Sequence, residues 1–183
     1  MHILGLMSGT SMDGVDICIA DLTIDSNNNI KYSEEIIINA SIDTVAYLFD
    51  NPYNMKEYMY GIESYTILDG NIREVGAKAE LVVAFIEDDV VKHKNKMIEE
   101  TITNNLPEEK KIRYKSNRGY NLEVMIVTNK LIKISDNKTK LITEREFEFK
   151  GYMKAMGFFM PSAFKNQSRV YLQNFKQFVE NHK

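Results

Sequence analysis

Arg145 is the charged residue best placed to bind a ligand. It lies in a predicted strand over residues 139–149, where Phe147 and Phe149 alternate with charged side chains. This alternation predicts that Arg145 points to the apolar side of the strand, where its guanidinium group could bind a carboxylate or a phosphate. The alternative, which we favour, is that Arg145 reaches water at the strand end or pairs with a carboxylate such as Glu100, since long side chains often extend to solvent.

Aromatic and methionine side chains form a second group that could contact a ligand. The sequence has 10 Met, 10 Tyr and 9 Phe residues and no Trp. Such side chains line apolar cavities, and a buried tyrosine hydroxyl needs a hydrogen-bond partner, which suits a cavity with a few polar contacts. The same residues are equally typical of an ordinary core. The candidate ligand-binding residues are Leu81, Val83, Tyr114, Tyr120, Leu122, Val124, Arg145, Phe147, Phe164 and Tyr171.

Metal-ligating and nucleophilic residue types are few. His2 and His182 lie near the two ends and His93 lies at a predicted turn, so the sequence indicates no metal cluster or proton relay. The single cysteine, Cys18, excludes a disulfide framework and a multi-thiolate metal site. Its alternating apolar surroundings favour a buried, inert thiol. We therefore expect neither a metal nor a cofactor.

Adjacent carboxylates occur at Glu34–Glu35, Glu87–Asp88–Asp89 and Glu99–Glu100. Neighbouring side chains of a strand point to opposite faces, so adjacent carboxylates in strands do not form acid–base pairs. We interpret these groups as solvated surface charge.

The overall charge argues against a protein that binds nucleic acid. The net charge is −3 and the pI is near 5.7, which leaves no excess of cations to neutralise phosphates. Lys92, Lys94 and Lys96 share one face of a predicted strand. These lysines could bind an anionic partner, but we favour the interpretation that they protect an edge strand from aggregation. No segment approaches the roughly 20 apolar residues of a membrane-spanning helix.

We expect a cytoplasmic protein, and the sequence does not predict its oligomeric state.

Residue periodicity predicts one antiparallel sheet and one long helix. Strands are predicted over residues 2–7, 15–22, 30–39, 62–69, 77–87, 92–105, 111–116, 120–132 and 139–149, and helical segments after Ser41 or Asp43, over 54–60, and from Pro161 to about Glu180. The residues predicted to share the inward face of the strand over 120–132 are Tyr120, Leu122, Val124, Ile126 and Ile132. A curved sheet that wraps one long helix buries both apolar surfaces.

Four segments of the sequence resemble the START-like (SRPBCC) helix-grip superfamily, which includes polyketide cyclase and dehydrase-like proteins, lipid-transfer domains and relatives of plant pollen allergens. They are INASIDTVAYLFDNPYNMKEYMYGIESYTILDG, EVGAKAEL, MIEETITNNLP and EFEFKGYMKAMGFFMPSAFKNQSRVYLQNFKQFVE, and their order matches over residues 30–182. The resemblance implies an α+β helix-grip fold, in which a curved antiparallel sheet of about seven strands wraps a long C-terminal helix and encloses a deep apolar cavity. It implies no universal catalytic residue.

The first 24 residues resemble a different family, the anhydro-N-acetylmuramic acid kinases, which are actin-like sugar kinases. The segment GLMSGTSMDGVDICIADL is similar to the opening β-hairpin of that family. The resemblance implies a loop in which small residues let backbone N–H groups approach the phosphates of ATP. The corresponding nucleotide-binding residues are Gly9, Thr10, Ser11, Met12, Asp13, Gly14, Val15 and Asp16.

The length of the chain limits what this hairpin can do. An actin-like kinase needs two lobes, each about as large as the whole chain of 183 residues, and one hairpin cannot position ATP and a sugar together. The charge also changes here, since residues 1–29 carry −4 and residues 30–183 carry +1. We predict a kinase-like hairpin fragment over residues 1–28 and a helix-grip domain over residues 29–183. A fusion, a rearrangement remnant and a start-site artefact are alternative origins of the first part.

Three functions are compatible with these features. The first, which we favour, is non-enzymatic binding or carriage of a small hydrophobic or amphipathic molecule between the sheet and the C-terminal helix. The second is a cyclase- or dehydratase-like enzyme of the same superfamily, for which Arg145 with Tyr120 or Tyr171 is the only candidate acid–base set. The third is an ATP-dependent sugar kinase, which the missing lobe makes a non-functional fragment.

Overall fold

The fold is built on one antiparallel β-sheet. A computed structural model of the chain describes residues 2–5, 18–24, 29–87, 90–116, 122–149 and 161–182. The strands are β1 (His2–Gly5), β2 (Cys18–Ile24), β3 (Ile30–Ile38), β4 (Ile62–Asp69), β5 (Lys78–Glu87), β6 (Val90–Asn105), β7 (Glu109–Ser116), β8 (Leu122–Ser135) and β9 (Lys138–Phe149). Their order across the sheet is β1-β2-β3-β9-β8-β7-β6-β5-β4.

Strands β4 to β9 form the predicted six-strand meander, because each pairs with the next along the chain. Strand β3 joins this meander beside β9, with pairs from Ile30↔Phe147 to Ile38↔Thr139, and completes a curved seven-strand sheet. The hairpin of β1 and β2 continues the sheet beyond β3. The α+β helix-grip fold with an additional N-terminal hairpin is therefore confirmed. The boundary at residue 28 stays a prediction.

The helices begin where the sequence predicts. Helix α1 (Ile42–Asp50) follows Ser41, whose Oγ accepts a hydrogen bond from the backbone N–H of Thr44 at 3.2 Å and so caps the helix. A 3₁₀ turn (Pro52–Asn54) and helix α2 (Met55–Tyr58) come next. Helix α3 (Pro161–Asn181) starts at a proline, which loses no helical hydrogen bond in the first turn.

Helix α3 packs on the inner face of the sheet through one stripe. The buried residues of the stripe are Ser168, Leu172, Phe175 and Val179. Their spacing of three or four residues places them on one side of the helix. Phe175 is 1% exposed, and its ring meets the rings of Phe49 and Tyr58 edge to face, with centroid distances of 5.2 and 4.9 Å. This contact joins α3 to α1 and α2 as well as to the sheet.

The predicted inward face of β8 is wrong. Leu131 pairs with Leu141 of β9, which is fully buried, and Leu131 is 5% exposed whereas Ile132 is 45% exposed. Val124, Ile126 and Ile132 therefore point away from α3. The pattern misleads because β8 carries apolar side chains on both faces, so that alternation alone does not identify the covered face.

The lysine stripe of β6 is not at a sheet edge, contrary to the prediction. Strand β6 lies between β5 and β7, while the outermost strands are β1 and β4. Lys94 Nζ lies 2.8 Å from Glu63 Oε1, and Lys96 Nζ lies 3.0 Å from Glu80 Oε1. A central strand with one solvated face has the same periodicity as an edge strand, so the sequence does not distinguish them.

Replacing Phe175 with alanine should destabilise the fold strongly. The change removes a fully buried ring, so the free energy of unfolding should fall by about 3–5 kcal/mol. Urea denaturation followed by circular dichroism measures this loss. In the control, Val170→Ala alters a side chain of the same helix that is 49% exposed, and should change the free energy by less than about 0.5 kcal/mol. Equal losses in the two variants would contradict the packing described.

Candidate functional site

A cavity of about 280 Å³ lies between the sheet and α3. Its apolar and aromatic lining includes Phe49, Met55, Tyr58, Met59, Leu81, Val83, Met97, Ile112, Tyr114, Met125, Val127, Phe147, Tyr171, Leu172 and Phe175. Its polar lining includes Asn95, Glu99, Lys110, Asn129, Thr143, Arg145 and Ser168. Mainly apolar walls with a few polar groups are the usual composition of a small-molecule site.

Most of the candidate ligand-binding residues with described side chains line this cavity. They are Leu81, Val83, Tyr114, Arg145, Phe147 and Tyr171. Val124 does not, because it lies on the other face of β8. Tyr120 lies outside the described residues, as do the side chains of Leu122 and Phe164. That the six lining residues bind a ligand stays a prediction.

Arg145 pairs with a buried carboxylate, although not with the one predicted. Its Nη1 lies 3.5 Å from Oε2 of Glu34, which is fully buried, and also donates to Ser168 Oγ. Ser168 Oγ in turn donates to Glu34 Oε2, and Arg169 Nε lies 3.5 Å from Glu34 Oε1. Glu100 instead accepts from Arg113 at 3.1 Å. The guanidinium group of Arg145 thus belongs to a network that links β3, β9 and α3.

Lys110 is the second cation in the lining, and it is also paired. Its Nζ donates to Asp50 Oδ1 at 2.8 Å and to the backbone carbonyl of Asp50 at 3.2 Å. Asp50 is the last residue of α1, so the lysine satisfies a carbonyl at the C-terminal end of that helix. Beside Lys110 across the sheet, Thr143 Oγ1 donates to Asn129 Oδ1 at 2.9 Å. These polar groups therefore have partners within the protein.

Glu99 is a polar lining residue with an incomplete set of partners. It lies on β6, opposite Tyr114 of β7 and Ala79 of β5. Tyr65 of β4 reaches across β5, where the small Ala79 leaves room, and its Oη donates to Glu99 Oε1 at 2.8 Å. The side chain of Glu99 is 5% exposed, and its Oε2 makes no hydrogen bond of normal geometry to any described residue.

The surroundings of Glu99 alter its protonation. Burial is the largest effect and raises the pKa of the Glu99 carboxyl, while the hydroxyls of Tyr65 and Tyr114 and the charge of Lys110 offset part of the rise. Burial and the nearby Glu99 also raise the pKa of Tyr65 and of Tyr114, so both hydroxyls remain protonated donors. The cavity therefore contains a carboxyl group that keeps its proton to a higher pH than an exposed glutamate does.

Glu34 and Glu99 were predicted to be solvated charges, but both are buried. The pattern contained a signal for both. Lys94 and Lys96 mark the solvent side of β6, so Glu99 must lie on the opposite side. Glu34 continues the alternation of Ile30, Tyr32, Ile36 and Ile38, all of which are buried. The alternation of side chains along a strand indicates here which glutamates are buried, whereas their charge does not.

In the described part of the chain, no group of three or more His, Cys, Asp or Glu side chains could hold a metal ion. Within the same ranges, no helix has the length and apolar character that crossing a membrane requires.

The fold is shared with several solved structures. A conserved protein from Geobacillus kaustophilus is 17% identical, with a TM-score of 0.68 and coverage of 82% of this chain and 95% of that one. The Zhui aromatase/cyclase from Streptomyces sp. R1128 is 14% identical, with a TM-score of 0.66 and coverage of 83% and 94%. A truncated norcoclaurine synthase from Thalictrum flavum is 14% identical, with a TM-score of 0.61 and coverage of 91% and 97%. These likenesses show the START-like helix-grip fold.

Sequence comparisons identify no family for the chain. No family model matches the chain, and no curated protein matches it. The resemblance of residues 1–24 to sugar kinases therefore has no support from these comparisons. All of the predicted nucleotide-binding residues, from Gly9 to Asp16, lie outside the described residues.

The variant Glu99→Gln should gain stability relative to the wild type as the pH rises. Because the folded state holds the Glu99 proton more tightly, the wild type loses stability between the unfolded pKa of about 4.3 and the raised folded pKa. Glutamine has no such proton, so the free energy of unfolding of the variant minus that of the wild type should increase. Urea denaturation between about pH 4 and pH 8 measures the difference. A constant or falling difference would show that the pKa is not raised.

Proposed function

We propose that the protein binds a small hydrophobic or amphipathic molecule in the cavity between the sheet and α3, as a carrier or binding protein without catalysis. The single observation that carries the proposal is a space of about 280 Å³ with mainly apolar walls. Packed protein interiors contain few voids larger than a water molecule, so a space of this size within a domain suits an occupant.

The walls are suited to binding by burial of apolar surface. Each Å² of apolar surface removed from water contributes about 25 cal/mol, so most of the affinity would come from the hydrophobic lining. Four methionines contribute to that lining, namely Met55, Met59, Met97 and Met125. Their flexible, polarisable side chains can adapt to the shape of a ligand.

The second candidate function is a cyclase- or dehydratase-like enzyme. Two neighbours in fold bear enzyme names, aromatase/cyclase and norcoclaurine synthase. Glu99 adds a specific observation, because a cavity-lining carboxyl with a raised pKa can exchange a proton with a bound molecule. The set of Arg145 with Tyr171 suits this role less, since Arg145 is paired with Glu34. Tyr120 lies outside the described residues.

Native mass spectrometry of freshly purified protein separates these two candidates. A binding protein returns its molecule unchanged after incubation. A dehydratase converts it to a product lighter by one water, and Glu99→Gln should slow that conversion. A cyclisation without loss of water leaves the mass unchanged, so the first function is favoured when both the mass and the chromatographic retention time of the extracted molecule stay constant.

Filling the cavity should abolish binding. Met125→Trp places a larger ring in the space, so the affinity for the apolar probe 2-methylnaphthalene should fall at least tenfold, as measured by its fluorescence. The matched control is Ile132→Trp on the same strand, where the side chain points to solvent, and the affinity should stay within twofold of the wild type. If the wild type does not bind the probe, or if both variants bind it equally, the proposal fails.

We also propose that residues 1–28 contribute neither kinase activity nor the binding site. A variant that begins at Asn29 should bind 2-methylnaphthalene with unchanged affinity, because the lining residues that the structure describes all come after residue 29. The intact chain should hydrolyse ATP no faster than a blank without protein. Loss of binding in a folded truncated variant would contradict the division at residue 28. ATP turnover by the intact chain would instead support the kinase hypothesis.

A further inference from the structure

We propose that the ligand carries a hydroxyl group, which hydrogen-bonds to Glu99 on the β6 side of the cavity. This inference depends on the proposed binding function and adds the chemical class of the ligand, an apolar molecule with an uncharged hydroxyl. Glu99 is then a ligand-orienting residue.

The hydrogen bonding of the Glu99 carboxyl is incomplete. Oε1 accepts from Tyr65, whereas Oε2 is buried without a hydrogen bond of normal geometry to a described residue. A buried polar atom left in this state is unfavourable. Because Glu99 lines the cavity, a bound molecule can supply the missing hydrogen bond.

A second polar atom lies on the same side of the cavity. Asn95 and Glu99 are both on β6, four residues apart, so their side chains point to the same face of the sheet. Asn95 Oδ1 is also buried without a hydrogen-bond partner among the described residues, and Asn95 lines the cavity. Met97 lies between them in the lining. Strand β6 therefore presents one polar side chain on each side of the apolar Met97.

Charged ligand groups fit this cavity poorly. Its two described lining cations, Arg145 and Lys110, are already paired with Glu34 and Asp50, so neither is available to balance an anionic group. A cationic group at Glu99 would meet the charge of Lys110, which is close enough to influence Glu99. Burial makes either charge costly. The ligand group that best fits the site beside Glu99 is therefore uncharged.

A hydroxyl suits Glu99 better than other uncharged groups. An ionised carboxylate only accepts hydrogen bonds, whereas a protonated carboxyl also donates one. A carbonyl could pair only with the protonated form. A hydroxyl both donates and accepts, so it can pair with Oε2 in either state of the carboxyl.

Two probes of nearly equal shape test the inference, 2-naphthol and 2-methylnaphthalene, which differ by a hydroxyl in place of a methyl group. The measured quantity is the ratio of their dissociation constants, read from their fluorescence at pH 7. In Glu99→Leu, the preference for 2-naphthol should fall roughly tenfold relative to the wild type, which corresponds to the loss of one hydrogen bond. The control Glu100→Gln changes the neighbouring carboxylate, which faces the other side and pairs with Arg113, and should leave the ratio unchanged.

A second measurement uses the wild type and does not depend on the folding of a variant. With ¹³C-labelled glutamate, the carboxyl resonance of Glu99, assigned by its loss in Glu99→Gln, should shift with 2-naphthol and much less with 2-methylnaphthalene. An unchanged ratio in Glu99→Leu, or equal shifts with both probes, would overturn the hydroxyl assignment while leaving the binding function intact. Failure of the wild type to bind either probe would overturn the binding function itself.

Discussion

One helix has to cover a sheet that is wider than the helix. Seven strands spaced about 4.8 Å apart span about 29 Å, whereas a helix with its side chains is about 10–12 Å across. Helix α3 fills part of the inner face with Leu172, Phe175 and Val179, and α1 and α2 pack beside it. The space left over is the cavity. The core and the candidate site are therefore two outcomes of one packing arrangement, and a change in the tilt of α3 would alter both.

The sheet has two buried glutamates on its inner face, Glu34 and Glu99, and the groups around each one differ. Those groups give Glu34 a structural role and leave Glu99 able to contact a ligand. Glu34 faces two arginines and Ser168, so its charge is compensated by groups that tie the sheet to α3. Removing one partner of such a network leaves an uncompensated buried charge. Glu99 instead accepts a hydrogen bond from the hydroxyl of Tyr65, which carries no positive charge. Its carboxyl keeps the proton more readily and has one oxygen left for another partner.

The sequence predicted the strands, the helices and the fold because each depends on local periodicity and capping. The Ser41 cap and the start of α3 at Pro161 follow from such local rules. The inner face of β8 could not be predicted, since both of its faces are apolar. The alternation of side chains along β6 could have placed Glu99 on the inner face, but its hydrogen bond with Tyr65 could not be predicted. That contact crosses β5 from β4 to β6 and joins residues 34 positions apart.

The N-terminal hairpin has a structural consequence that does not require a phosphate site. Strand β3 contributes Tyr32 to the cavity and Glu34 to the ion-pair network, and it pairs with β9 along its whole length. Its other edge pairs with β2 from Asp21↔Ser33 to Ile24↔Ile30. An unpaired β3 would expose backbone donors and acceptors that favour association with other chains. The β1–β2 hairpin can thus protect the edge of the sheet, because edge pairing needs only an extended backbone of suitable length.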